Sequence, residues 1–117
     1  MTKLDLLDEL PDGFAYPPQF MRAIQLGLTC LEPWWILQGE HLRAQHSGLG
    51  ARYPLRVLVP FASRQDCDDV ACWDLDRGGR VSIVHDFASP GWEQVNELDD
   101  FDSWLRVAIE DLIEFGA

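Results

Sequence analysis

Hydrophobic residues along this chain recur with two different periods, and the periods separate helices from strands. The clearest run lies near the C-terminus. Phe101, Trp104, Leu105, Ala108, Leu112 and Phe115 stand at i, i+3, i+4, i+7, i+11 and i+14, the apolar stripe of an amphipathic helix. Asp99 or Asp100 can cap its start, Asp102 sits in the first turn where the helix dipole favours negative charge, and Gly116 follows the last apolar residue. Phe20, Met21 and Ile24 keep helical spacing after Pro17-Pro18, and Gly27 is placed to end the turn, so a helix is predicted over 18–26. Residues 2–10 alternate leucines with acids as far as Pro11, which predicts a short helical turn with Leu4, Leu7 and Leu10 inward.

Shorter runs follow period two. Trp34-Trp35-Ile36-Leu37 reads as a buried strand after Pro33. Leu55 to Phe61 alternates, with Leu55, Val57, Val59 and Phe61 on one face and Arg56 and Leu58 on the other. Val70 to Leu75 and Val81 to Phe87 alternate as well, and the Asp76-Arg77-Gly78-Gly79 quartet between them predicts a hairpin. With Leu75 opposite Arg80, Cys72 meets Ile83 and Val70 meets His85. Val70, Cys72, Val81, Ile83 and Phe87 then line the core side, and Trp73, Ser82 and Val84 the other; a one-residue slip would exchange the faces. Gly39 to Gly50 reads equally as a weak helix or a loop. Trp34, Trp35 and Trp104, and with them Trp73 and Trp92, are assigned to the core. No repeat or linker divides the 117 residues, and strands set between terminal helices predict one α+β domain with a mainly antiparallel sheet.

Composition changes the picture through charge. Nine basic and twenty acidic residues give a net charge of −11, which repels phosphates and excludes a duplex-binding role. Five Trp and six Phe supply enough bulk for a core, so the chain is not a disordered acidic tail. Acids interrupt the N-terminus every few residues, leaving no apolar segment of a signal peptide, and no run is long enough to cross a bilayer. Cys30, Cys67 and Cys72 are odd in number and form no CxxC pair, which predicts buried, reduced thiols in a cytoplasmic protein. The charge is unevenly spread: four Arg and no acid between His41 and Arg64, then five Asp and no base from Gln65 to Asp76. Glu93 to Glu114 adds eight acids against Arg106 alone. Two readings stay open, a solvated surface that keeps the chain soluble and a patch that steers and docks a basic protein.

Catalytic chemistry finds no footing. His41 and His46 are spaced i, i+5 and do not share a helical face; His85 and Asp86, neighbours on a strand, point to opposite sides and cannot pair. Asp66-Cys67-Asp68-Asp69 has neither zinc spacing nor a calcium-loop pattern, and no phosphate-loop, dinucleotide, zincin or hydrolase-elbow motif occurs. The expectation is a protein without enzymatic activity, metal or other cofactor.

The order of pieces nevertheless has a likeness. Pro17-Pro18-Gln19-Phe20 to Gly27 precedes a strand ending Val59-Pro60-Phe61-Ala62, and an Asp-rich loop leads into Asp69-Val70-Ala71-Cys72-Trp73-Asp74-Leu75. Val81 to His85 follows, and Asp100-Phe101 opens the closing helix. Over about residues 12 to 115 this resembles the SUKH superfamily, which includes the fungal cell-wall-assembly regulator and many bacterial homologues; the loop Ser63 to Asp68 lacks the glycines often found there. The resemblance implies a twisted, mainly antiparallel sheet of four to five strands flanked by N- and C-terminal helices, and no catalytic set. It also implies an immunity protein that binds and neutralises a toxin domain, often a nuclease, or alternatively an interaction scaffold without toxin neutralisation. A nuclease has a basic groove, so its inhibitor needs carboxylates. Asp66, Asp68, Asp69, Asp74 and Asp76, with Asp99 and Asp102 at the final helix, are therefore the expected contact set for a basic protein partner, with no direct nucleic-acid or membrane contact.

Overall fold

Pro17 and Pro18 open helix α1 (Pro18–Gln25), where a missing N–H costs nothing, and Gly27 closes the turn at a φ of 80°. The computed structural model describes residues 5–116, so the expectation for Leu4 lies outside the described residues. Residues 5–10 form no helix, contrary to the predicted turn, because tertiary partners take their backbone groups. The Asp5 carbonyl accepts from Gly39 N–H at 2.7 Å and Leu7 N–H donates to the Tyr16 hydroxyl at 3.2 Å. Leu6, Leu7 and Leu10 still pack half-buried against the core.

The last helix, α3 (Phe101–Phe115), starts where the Asp100 carboxylate accepts the Ser103 N–H at 2.8 Å. Asp100→Ala should therefore move the urea midpoint to lower concentration, because the Ser103 N–H loses its acceptor. An unchanged midpoint would mean that the helix start is held by other contacts. Of the predicted stripe, Phe101, Trp104 and Ala108 are buried, while Leu112 and Phe115 in the last turns stay exposed. The segment left open by its sequence is helix α2 (Gly39–Arg52), which buries only Leu42 and Leu49.

Six strands, β1 (Cys30–Leu31), β2 (Trp34–Ile36), β3 (Leu58–Arg64), β4 (Asp69–Asp74), β5 (Arg80–His85) and β6 (Gln94–Leu98), pair antiparallel in chain order. The architecture is α+β, with slightly more strands than expected: β1 is two residues long, and β6 is a mostly polar edge. β3 begins at Leu58, not Leu55. Leu55 is exposed, and the Arg56 N–H turns back to the Tyr53 carbonyl at 3.0 Å before the strand starts.

The β4–β5 register differs by one residue from the expected one: Cys72 faces Ser82 and Val70 faces Val84. Leu75 leaves the strand for a 3-10 turn over Leu75–Arg77, closed by Gly78 at a φ of 70°. Alternation could not choose the register because both sheet faces are apolar. Ala71, Trp73, Val81 and Ile83 join Phe20 of α1 and Trp104 of α3 in one core; Val70, Cys72 and Val84 join Leu42, Leu49 and Tyr53 in a second under α2. Trp73 lies at the centre of the first, with ring centroids of Phe61 at 4.4 Å, Phe20 at 5.0 Å and Phe14 at 5.4 Å. Trp35 is half-exposed, a correction to its core assignment. It alternates with buried Trp34, and its indole N–H donates to Gln65 at 2.9 Å. Among the described residues no helix is long and apolar enough to cross a membrane.

Candidate interaction surface

Antiparallel pairing sorts the seven expected contact carboxylates to two ends of the sheet. Asp66 and Asp68 lie in the β3–β4 turn and Asp69 at the first residue of β4; Asp74, the last residue of β4, lies at the other end with Asp76, Asp99 and Asp102. Five strand steps between Asp69 and Asp74 span roughly 16 Å. One continuous surface made of all seven is not formed.

Their surroundings differ as much as their positions. Asp66 is exposed and gripped by Arg64 at 2.8 and 2.9 Å, and that guanidinium holds its carboxyl below the usual range. Asp68 is exposed, and its carbonyl accepts the Asp86 N–H at 2.9 Å. Asp69 is half-buried and pairs with His85 Nδ1 at 2.8 Å across the strands. His85 is thus held by Asp69, not by its neighbour Asp86. Asp76, Asp99 and Asp102 are exposed; Asp76 accepts the Val57 N–H at 3.1 Å, and Asp99 pairs with Arg80 at 2.8 Å.

Asp74 must be removed from the contact set. It is 0 % exposed and accepts from Arg56 at 2.7 Å and Ser82 Oγ at 3.0 Å, so it anchors the fold and cannot meet a partner. The thiols also depart from expectation: only Cys72 is buried, and desolvation pushes it far above the ordinary thiol range, whereas Cys30 and Cys67 are exposed and free. Among the described residues no three His, Cys, Asp or Glu side chains converge as a metal-binding group.

Beside the β3–β4 turn the structure assembles a feature that was not read from the sequence. The loop 86–93 between β5 and β6 is clamped onto the end of α2 by two buried carboxylates, Asp86 at 3 % and Glu93 at 7 % exposure. Asp86 receives Arg52 through two bonds of 2.6 Å, Gln45 at 2.7 Å and the Phe87 N–H at 2.8 Å. Glu93 receives Arg56 at 2.9 Å and the Gly91 N–H at 2.7 Å, and the Tyr53 hydroxyl donates to the Ala88 carbonyl at 2.8 Å. Burial raises the pKa of both carboxyls, but the donors outweigh it and hold both below their ordinary values.

The clamped loop points two large aromatic side chains outward. Phe87 is 69 % and Trp92 82 % exposed. Phe87 also sits at a φ of 67°, a left-handed conformation that costs a residue of this kind about 1–2 kcal/mol. The Arg52 guanidinium stacks 4.1 Å from the centroid of its ring. Both were expected inside the fold, Phe87 on the core side of its strand and Trp92 among the core tryptophans; the structure corrects this because the loop is held by Arg52, Tyr53 and Arg56, each more than thirty positions before its partner. The available signal was an aromatic at each end of Ala88-Ser89-Pro90-Gly91, a turn-rich stretch where large apolar residues have little core to fill.

The pairs carry a pH signature. Because Asp86 and Glu93 have depressed values in the fold, their contribution is complete above the unfolded values of 3.8 and 4.5 and is lost as pH falls through the folded ones. Melts from pH 7 downward should show a flat midpoint that drops steeply only below about pH 4. A steady decline beginning near pH 6 would place the controlling titration elsewhere. No family model, curated protein or solved structure matches the chain.

Proposed function

We propose that this chain is a non-catalytic acidic module that binds and neutralises a basic protein, a nuclease toxin domain of the kind the SUKH resemblance implies. One observation carries the reading: on a chain of net charge −11, five of the seven expected contact carboxylates, Asp66, Asp68, Asp76, Asp99 and Asp102, are solvent-exposed. Exposed charge of one sign attracts a cationic surface at long range, raises its association rate and loses that effect as salt screens it.

The test uses the product of the gene beside its own. Co-expression of this chain should restore growth to cells that the neighbouring product inhibits. Association of the two purified proteins should slow by about tenfold or more between about 50 mM and about 500 mM NaCl. Salt-sensitive binding without growth rescue would favour the interaction scaffold instead. A rate that is flat with salt would reject the electrostatic mechanism.

A further inference from the structure

We propose that the basic partner docks at the rim formed by the loop 86–93 and the β3–β4 turn, with Phe87 and Trp92 as aromatic anchors for its arginine side chains. The inference rests on the acidic-module reading above and adds which end of the sheet binds and through what contacts.

Three observations select this end. First, Phe87 and Trp92 expose most of their surface on a single loop, and a large exposed aromatic such as Trp is among the side chains that carry the most binding energy at protein interfaces. Second, the loop is already ordered. Asp86, Glu93 and Tyr53 tie it to α2 and to the segment after it, so its aromatics need no further ordering when a partner arrives. Third, the strained backbone at Phe87 is kept although glycine or asparagine would relax it, as expected where the side chain is needed outside the fold.

The occupant follows from charge and from a precedent within the molecule. Arg52 lies over the Phe87 ring while its guanidinium pairs with Asp86, so this ring beside a carboxylate is already a guanidinium seat. Phe87 lines one recess with Asp68, Asp69 and Arg64; Asp69 there is paired with His85 and Arg64 with Asp66, which leaves Asp68 beside the ring as the carboxylate for a second guanidinium. Basic side chains already hold carboxylates at both ends, Arg77 and Arg80 on Glu97 and Asp99 at the far one and Arg64 and His85 on Asp66 and Asp69 at this one, so the exposed aromatics and not the charge choose the end.

A hexa-arginine peptide titrated into the 15N-labelled chain tests the site, with hexa-citrulline as the uncharged control. The largest amide shifts should fall on residues 68–69 and 86–92, and hexa-citrulline should produce none. Trp92→Ala and Phe87→Asn should each weaken binding about fivefold. Asparagine tolerates the positive φ, so Phe87→Asn removes the ring without unfolding the loop, and thermal melts of both variants verify this. Shifts centred on Asp76, Glu97 and Asp99 would overturn this site while leaving the acidic-module reading intact. Variants that bind within about twofold of the parent would overturn the aromatic anchors. No response anywhere would overturn the site too, and the growth experiment then decides the wider reading independently.

Discussion

Trp104→Asp is expected to lower stability by roughly 3–5 kcal/mol, a large share of the 5–15 kcal/mol typical of a domain this size. Trp104 is 1 % exposed, and its ring packs against Phe61 at 4.9 Å, Trp34 at 5.5 Å and Phe101 at 5.6 Å. An aspartate there loses the apolar contact and places a charge among aromatic rings. Arg64, which stacks over the neighbouring Trp34, already serves Asp66 and Asp111. Urea unfolding at neutral pH measures the loss, and Trp104→Phe, which keeps most of the packing, should fall well short of it. A loss under about 1 kcal/mol for Trp104→Asp would show that α3 does not dock on the sheet through this residue.

That docking was legible from spacing alone, as were α1, β2 and the β4–β5 hairpin, because in each the period or the turn chemistry is strong and local. The hairpin's register was not. Val70, Cys72 and Val84 face one core and Ala71, Trp73, Val81 and Ile83 the other, so hydrophobicity on both sides removes the signal that fixes which face is inward. α2 was ambiguous because two leucines seven residues apart carry its burial, a weak pattern among polar residues. β6 was invisible for the same reason, as a strand whose side chains are mostly polar. At the surface, the sequence locates negative charge but does not say whether an aspartate is exposed or paired. Asp68 and Asp74 belong to the same acidic run, yet one is exposed and the other is wholly buried beneath Arg56. The loop 86–93 depends on partners from α2 and from the segment after it, and only the folded chain brings them together.

Arg56→Met is the second large effect expected, roughly 3–5 kcal/mol at neutral pH. Arg56 donates to Asp74 at 2.7 Å, Glu93 at 2.9 Å and Gln94 at 2.7 Å from a largely buried position over the sheet. Burial works against its charge, and the two carboxylates more than offset that, leaving its pKa above the ordinary value. Methionine keeps much of the volume and leaves two buried carboxylates without their main cation; Arg77, at 3.3 Å from Asp74, compensates in part from an exposed position. The sign of the pH response distinguishes this from lost packing. In the variant Glu93 loses the Arg56 donor that helps hold its carboxyl below the ordinary value, so the deficit relative to the parent should shrink as pH falls towards about 4. Adding Asp74→Asn should recover part of the loss at neutral pH. Glu93 also holds the loop that carries Phe87 and Trp92, so Arg56→Met should weaken hexa-arginine binding without touching either ring. A deficit that stays constant with pH, with peptide affinity unchanged, would mean that Arg56 serves only as packing and does not hold the docking loop in place.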